Sequence, residues 1–375
     1  MNILITGGAG FIGANLVTRL CAEGHTLRVL DILSTQIHGT SPQTSPLRLQ
    51  IEGKCEFIQG DVCDPALVAM AIDGCDAVVH LAAETGTGQS MYDVAHYCQT
   101  NVQGTAVLLE AIAARKGAIC RVVVASSRAV YGEGRYKIDG NYVYPAGRVE
   151  ADLVQGHFEP RCAVTGRELN VVATDEESRV QPNSIYGVTK YTQEQMTLLN
   201  CNALGIPAVA LRFQNVYGPG QSLSNPYTGI LSIFSTRIRH GRGIDIYEDG
   251  KESRDFVYID DVVESLVLAL TQSDIAGEAF GIGTGVATSV ANVAQTLIAQ
   301  YGIDVRAKVT GAYRVGDIRH NFADTSKAER RLGFTARVGF QEGIANFARW
   351  VLEQPIQVDG YEDSLESLKK RGLFK

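Results

Sequence analysis

The opening of the chain constrains its fold more than any other stretch. Asn2-Ile3-Leu4-Ile5-Thr6 is apolar and β-prone and runs without a break into Gly7-Gly8-Ala9-Gly10-Phe11-Ile12-Gly13, after which a helical pattern sets in. Glycines at a strand-to-helix turn let backbone close in on a pyrophosphate at the helix N-terminus. The run satisfies both Gly8-x-Gly10-x-x-Gly13 and Gly7-x-x-Gly10-x-x-Gly13, and it predicts a dinucleotide site approached by Gly7, Gly10, Phe11, Ile12 and Gly13. A helix over 11–23 stops at Gly24, and a short strand over 27–30 then delivers Asp31, about twenty residues beyond the glycines. A carboxylate there accepts both ribose hydroxyls of an adenosine and repels a 2′-phosphate, so NAD is favoured over NADP.

Short β-rich runs at 3–6, 27–30, 56–59, 77–81 and 121–125 alternate with amphipathic stretches through the first half. That rhythm predicts an α/β chain with a Rossmann-type doubly wound parallel sheet. Ligands of such sheets lie beyond the C-terminal strand ends, which puts Asp61 and Val62 beside the adenine and Leu81, Ala82 and Ala83 beside the cofactor ribose. Asn101 completes the expected cofactor contacts. Between about 134 and 182 the rhythm fails, as an inserted lid or loop would make it do. A helix over 184–204 and a strand over 208–213 follow. Beyond Gly218 the pattern is mixed, with helices near 229–240, 260–271, 289–301 and 340–353 and strands near 244–247 and 255–259. The reading is two domains, 1–214 for the cofactor and 215–375 as a smaller mixed α/β substrate-binding domain, with some crossing of the chain between them. Residues 358–375 read as a terminal helix or a frayed tail.

With 375 residues, 45% of them hydrophobic, the chain can bury a large core. A net charge of −7 without any run of Lys or Arg argues against nucleic acid or an anionic membrane surface as the main partner. No stretch reaches the apolar length of a membrane span, and a strand occupies the N-terminus where a signal peptide would lie. The eight cysteines show no Cys-x-x-Cys and no histidine at ligand spacing, so they read as reduced core thiols of a cytoplasmic protein, with no metal required.

Tyr186-Gly-Val-Thr-Lys190 carries the chemistry. Four residues apart on a helix, the two side chains share a face, where the ammonium can depress the phenol's pKa and make a base usable near neutrality. A second pair, Tyr247 and Lys251, spans an Asp-Gly turn and is set aside. Ser127, at the end of the fifth strand, faces the nicotinamide end of the cofactor and offers a hydroxyl to the substrate oxygen whose proton Tyr186 removes.

Taken together, Thr6 to Gly13, His80-Leu81-Ala82-Ala83, Ser127-x-x-x-Tyr131-Gly132 and Tyr186-x-x-x-Lys190 resemble the extended short-chain dehydrogenase/reductases, in particular the NAD-dependent nucleotide-sugar epimerase/dehydratase family. The resemblance continues through Arg212-Phe213-Gln214-Asn215-Val216-Tyr217-Gly218-Pro219, Arg254-Asp255-Phe256-Val257 and Arg314-Val315-Gly316-Asp317. It implies a nucleotide-sugar substrate, with Asn215 at the sugar diphosphate, Arg254 and Arg314 donating to its phosphates and Asp317 accepting a ribose hydroxyl. It also implies a homodimer built from two helices of each chain, near 93–116 and 184–204.

Members of the family differ in what stands beside the catalytic hydroxyl. Dehydratases carry an Asp-Glu pair, decarboxylases a glutamate and 3,5-epimerases a cysteine; this chain has Arg128-Ala129. The resemblance therefore implies 4-epimerisation, in which a sugar carbon is oxidised through bound NAD and the 4-keto sugar is reduced again from the other face. The His80–Ser90 stretch, the turn at 132–135, the insertion and Asn215 to Tyr227 are similar to the dTDP-L-rhamnose 4-epimerases, which make dTDP-6-deoxy-L-talose in polysaccharide pathways such as O-antigen synthesis. Thr85, Thr87 and Arg128 are the candidates for contacting the sugar. UDP-sugar 4-epimerisation, one-way 4-keto-sugar reduction by NAD(P)H and a non-enzymatic sensor remain open alternatives.

Overall fold

The computed structural model describes residues 1–225 and 229–375, so the stretch read above from Asn215 to Tyr227 ends outside the described residues. Its centre is a seven-stranded sheet in which every pairing is parallel. Five strands come from the first third of the chain: β1 (Asn2–Thr6), β2 (Thr26–Asp31), β3 (Glu56–Gln59), β4 (Ala77–His80) and β5 (Arg121–Ser127). The order across the sheet is β3-β2-β1-β4-β5, followed by Ala208–Phe213 and then Glu278–Ile282. The order reverses beside β1, which opens a crevice at the C-terminal ends of β1 and β4.

Alternation along the strands builds two cores. Ile3 and Ile5 of β1 join one buried cluster with Leu16, Leu20 and Leu266, whereas Leu4 joins a second with Val68, Leu108 and Ile112. Helix α1 (Phe11–Ala22) and the Ile259–Thr271 helix cover the first face, and the Gly104–Ala114 and Ile185–Leu204 helices cover the second. The seventh strand escapes sequence reading because Glu-Ala-Phe-Gly-Ile lacks both a β-branched run and alternation. It returns from the second half of the chain, so the sheet crosses the expected boundary at 214.

The second half otherwise builds the Ile230–Arg239, Val290–Tyr301 and Phe340–Glu353 helices around short strand pairs. The insertion carries more order than a lid or loop would. Tyr136–Ile138 pairs antiparallel with both Asn141–Val143 and Asn170–Val171, and a short helix, Glu150–Val154, follows the hairpin. The irregular period misleads because these strands span only two or three residues. Residues Tyr361–Lys370 form a terminal helix. Among the described residues no helix is long and apolar enough to cross a membrane.

Candidate active site

At the end of β1 the chain turns through the glycines into α1, which Gly10 caps without any side-chain hydrogen bond. The first-turn N–H groups therefore face the crevice, where an anion is the natural partner. A Cβ at Gly13 would collide with the Gly7 carbonyl and with Gly8, so only glycine lets α1 start this close to the strand. Asp31 braces the same turn: one carboxylate oxygen accepts from Ala9 N (2.9 Å) and the other from Leu33 N (2.8 Å). Burial pushes its pKa up, and these N–H groups oppose the shift. Asp61 accepts from Cys63 N at 2.8 Å, which leaves Val62 buried in the next strand end. Open first-turn donors, a turn that tolerates no Cβ and a carboxylate at the end of β2 together fit a dinucleotide.

Asn101 is placed differently from the other expected cofactor residues. It is fully buried in a π-helical stretch, Cys98–Gln103, and its amide is spent inside the protein. It accepts from Glu84 N (2.7 Å) and donates to Glu84 O (3.1 Å) and Thr189 Oγ1 (2.9 Å). Its geometry fastens the segment after Leu81–Ala83 to the helix carrying Tyr186.

That helix, Ile185–Leu204, starts at Ser184, whose hydroxyl accepts from Gly187 N at 3.1 Å. A Cβ at Gly187 would meet the Ala129 carbonyl, so glycine allows the helix to lie against the turn after β5. Adjacent serines on β5 then serve opposite faces. Ser126 donates to Glu194 Oε2 at 2.7 Å, within a buried pair in which Arg212 binds Glu194 at 2.6 and 2.9 Å. Ser127 accepts from Ala129 N at 3.1 Å and hydrogen-bonds the Tyr186 phenol.

Burial pushes the Tyr186 pKa up, opposed by the Ser127 hydrogen bond and the Arg128 charge. This differs from the sequence expectation, in which Lys190 supplies the charge. The Lys190 ammonium donates instead to Gln193 Oε1 at 2.6 Å, and burial brings its pKa down to about 7. Gln193 in turn donates to Thr105 Oγ1 (2.9 Å) and lies 3.1 Å from His80 Nε2. His80 also bonds Thr6 at 2.7 Å, and burial holds its imidazole neutral, with a pKa of about 3. Sequence reading missed Gln193, although it stands three residues after Lys190 on the same helix face.

Beside these groups lies a cavity of about 310 Å³, within the range of small-molecule sites. Thr87, Arg128, Asn215, Arg254, Arg314 and Asp317 all line it. Thr85 does not; it is exposed, and its carbonyl accepts from the Tyr97 hydroxyl at 2.5 Å. Arg128 donates to Asn215 Oδ1 at 2.9 Å, and burial with the nearby Arg254 lowers its pKa to about 9. Arg314 pairs with Asp317 at 2.7 Å and lies over the Tyr247 ring. Arg254 spends three hydrogen bonds on the carbonyls of Ser253, Ile318 and Arg319, which leaves it fewer donors for phosphate than the sequence expectation assumes.

Other lining residues carry no motif. Tyr247, from the pair set aside as a turn, faces the cavity and shares a 2.7 Å hydrogen bond with Tyr361. Glu248 and Glu252 also line it, and burial raises Glu252 to about 7. The terminal helix closes one side with Leu365 and Leu368. Only its amphipathic spacing hinted that this segment packs at all.

The chain matches the NAD dependent epimerase/dehydratase family over residues 3–149 and 162–283. It is 39% identical to the dTDP-L-rhamnose 4-epimerase of Burkholderia thailandensis, over 94% of this chain and 95% of the relative. Its fold is similar to that of UDP-glucose 4-epimerase from Thermotoga maritima with UDP-glucose, at a TM-score of 0.76 and 29% identity over 94% of this chain and 99% of that one. It is also similar to UDP-glucuronic acid 4-epimerase from Bacillus cereus in complex with UDP-glucuronic acid and NAD, at a TM-score of 0.77 and 25% identity over the same shares.

Proposed function

The chain belongs to the NAD-dependent epimerase/dehydratase family, and from that premise we propose that it converts dTDP-L-rhamnose into dTDP-6-deoxy-L-talose. Nucleotide-sugar 4-epimerisation is the activity and NAD the cofactor. The observation that carries the reading is the turn after Ser127. Arg128 and Ala129 offer neither a carboxylate nor a thiol, and Glu194, the carboxylate bonded to the adjacent Ser126, is committed to Arg212. Elimination or decarboxylation needs a further acid or base; inversion at one carbon needs only Tyr186.

When bound, NAD supplies reversible hydride acceptance from the sugar C4. Tyr186 takes the proton from the 4-hydroxyl oxygen in the first half and returns it to the same oxygen in the second. Ser127 holds that oxygen through its hydroxyl, and the charge of Arg128 favours the phenolate. Arg128, Arg254 and Arg314 hold the diphosphate, and Asp317 holds the nucleoside ribose, so the keto sugar turns between halves without leaving. Thr87, at the start of the short helix Thr87–Ser90 and in the cavity lining, is the threonine we assign to the sugar.

The test is incubation of the purified protein, without added cofactor, with dTDP-L-rhamnose and a panel of UDP-sugars. A new chromatographic peak of unchanged mass from dTDP-L-rhamnose is expected. Product from a UDP-sugar alone would support the second reading, a UDP-sugar 4-epimerase, which the likeness to the Thermotoga maritima enzyme favours. Loss of water, or a requirement for reduced cofactor and a keto sugar, would refute both.

We place the activity in the cytoplasm, where eight unpaired cysteines are at home. We propose a homodimer through the Gly104–Ala114 and Ile185–Leu204 helices. Val188 and Leu199 of the longer helix are 46% and 66% exposed and share one stripe three turns apart. Light scattering should give the mass of two chains; the mass of one would refute the pairing.

A further inference from the structure

The segment from 134 to 182 contributes no residue to the lining of the cavity, yet it is bolted to the cavity wall by buried charge. Arg148 lies between the hairpin and the short helix of the insertion, with its side chain only 4% exposed. Its guanidinium donates to Glu248 Oε1 at 2.7 Å and to the Asp317 carbonyl at 2.7 Å. Glu248 and Asp317 are both lining residues, so one side chain of the insertion ties together two segments of the wall.

Glu248 holds φ near +50°, a left-handed conformation uncommon for a residue with a Cβ. Such backbone persists only where its surroundings over-determine it. Here they do: Arg148 takes one carboxylate oxygen, Arg319 takes the other at 2.8 Å, and the backbone N–H donates to Ala312 O at 2.8 Å. Arg319 is fully buried, and a second residue of the insertion, Glu159, accepts from it at 2.6 Å and from His320 at 3.0 Å. Three consecutive carbonyls, of Asp317, Ile318 and Arg319, are thereby held by guanidinium groups, the first by Arg148 and the others by Arg254. Charge-assisted bonds in a dry setting are strong and directional. Asp317 cannot shift along its backbone without breaking the bond to Arg148.

We infer that the insertion acts on the nucleoside end of the cavity through Arg148, which sets the placement of Asp317 and Glu248. This rests on the nucleotide-sugar reading, because it assigns Asp317 to the nucleoside. Arg148 is a positioning residue that touches neither sugar nor cofactor. Its loss should weaken the nucleoside diphosphate and the whole nucleotide-sugar by the same factor and leave the NAD site untouched.

The experiment is calorimetric titration of dTDP and UDP into the full-length, NAD-saturated protein, with NAD content measured alongside. Arg148→Met removes the tie. The double variant Arg148→Met with Glu248→Gln also removes the Glu248 charge that Arg148 offsets, while Glu133, 3.6 Å from Arg148, keeps its bonds from the Arg319 N–H and the Tyr136 hydroxyl. Both variants should bind the nucleoside diphosphate roughly tenfold more weakly, the loss expected for a buried charged hydrogen bond. KM for the sugar nucleotide should rise by the same factor, with kcat and NAD content unchanged. Glu159→Gln, which loosens the insertion but keeps Arg148, should unfold at lower temperature and bind as the wild type does. Wild-type affinity in both Arg148 variants, or an equal loss in Glu159→Gln, would overturn the inference. A wild-type protein that binds neither dTDP nor UDP would instead remove the nucleotide-sugar reading on which it rests.

Discussion

The glycine-turn groove proposed for NAD and the cavity proposed for the nucleotide-sugar are built by different means. The groove is largely backbone: a four-residue glycine-rich turn, the open N-terminus of α1, and a carboxylate that binds the turn's own Ala9 N–H. The cavity is side chains gathered from Thr87 to Leu373, with three arginines facing it among buried acids. The two regions also bury opposite charges. Lys190, on the groove side, is pushed down to about 7, and Glu252, in the cavity wall, is pushed up to about 7. A site of backbone donors is finished when the chain folds locally. A site of paired charges depends on distant elements arriving together, and it shares its donors between the protein and the ligand.

The sharpest break in this comparison is at the proposed base. Tyr186→Phe should lower turnover roughly 100- to 10,000-fold, the usual yield of a positioned acid–base group, with dTDP affinity by calorimetry unchanged. Full activity would remove Tyr186 from the proton path. Next comes Gly13→Ala, which drives a Cβ into the Gly7 carbonyl. It should cost about 1–3 kcal/mol of stability and empty the groove of NAD while the cavity still takes dTDP. Parallel loss of both ligands would show that the two regions are not independent.

The smallest effect is in the pH dependence of stability, where the two buried charges act with opposite sign. Lys190 has a folded pKa below its ordinary 10.5, so the unfolded chain holds the extra proton between 7 and 10.5. Its destabilising contribution is full below pH 7 and is relieved as pH rises through that window. Glu252 has a folded pKa above its ordinary 4.5, so the folded chain holds the extra proton and stability falls as pH rises from 4.5 to 7. Thermal midpoints of the NAD-free protein should show Lys190→Met gaining most over the wild type at low pH and converging with it in the alkaline range. Glu252→Gln should gain most above pH 7. Midpoint differences that do not vary with pH would place both groups in water.

What could be read in advance follows the same division. The five strands of the first third and their doubly wound parallel arrangement were legible because each strand carries its own apolar run. Ser127 could be singled out by its place at the end of the fifth strand and its spacing to Tyr131 and Gly132, and Lys190 on the face of Tyr186 by the helical turn. The strand Glu278–Ile282 was not legible, since it is held by its partner Ala208–Phe213 and not by its own composition. The ordered insertion was equally hidden, because its strands are too short to show a period.

The sequence by itself therefore determined the glycine turn after β1, the carboxylate at the end of β2, and the faces on which Ser127, Tyr186 and Lys190 stand, because strand and helix periodicity fix these within a few residues. Only the tertiary structure decided that Lys190 rests on Gln193, that Tyr247 and the terminal helix wall the cavity, and that Arg148 of the insertion grips Asp317. A buried charge takes whichever partner the packing brings within reach, and that choice is made between residues far apart in the chain.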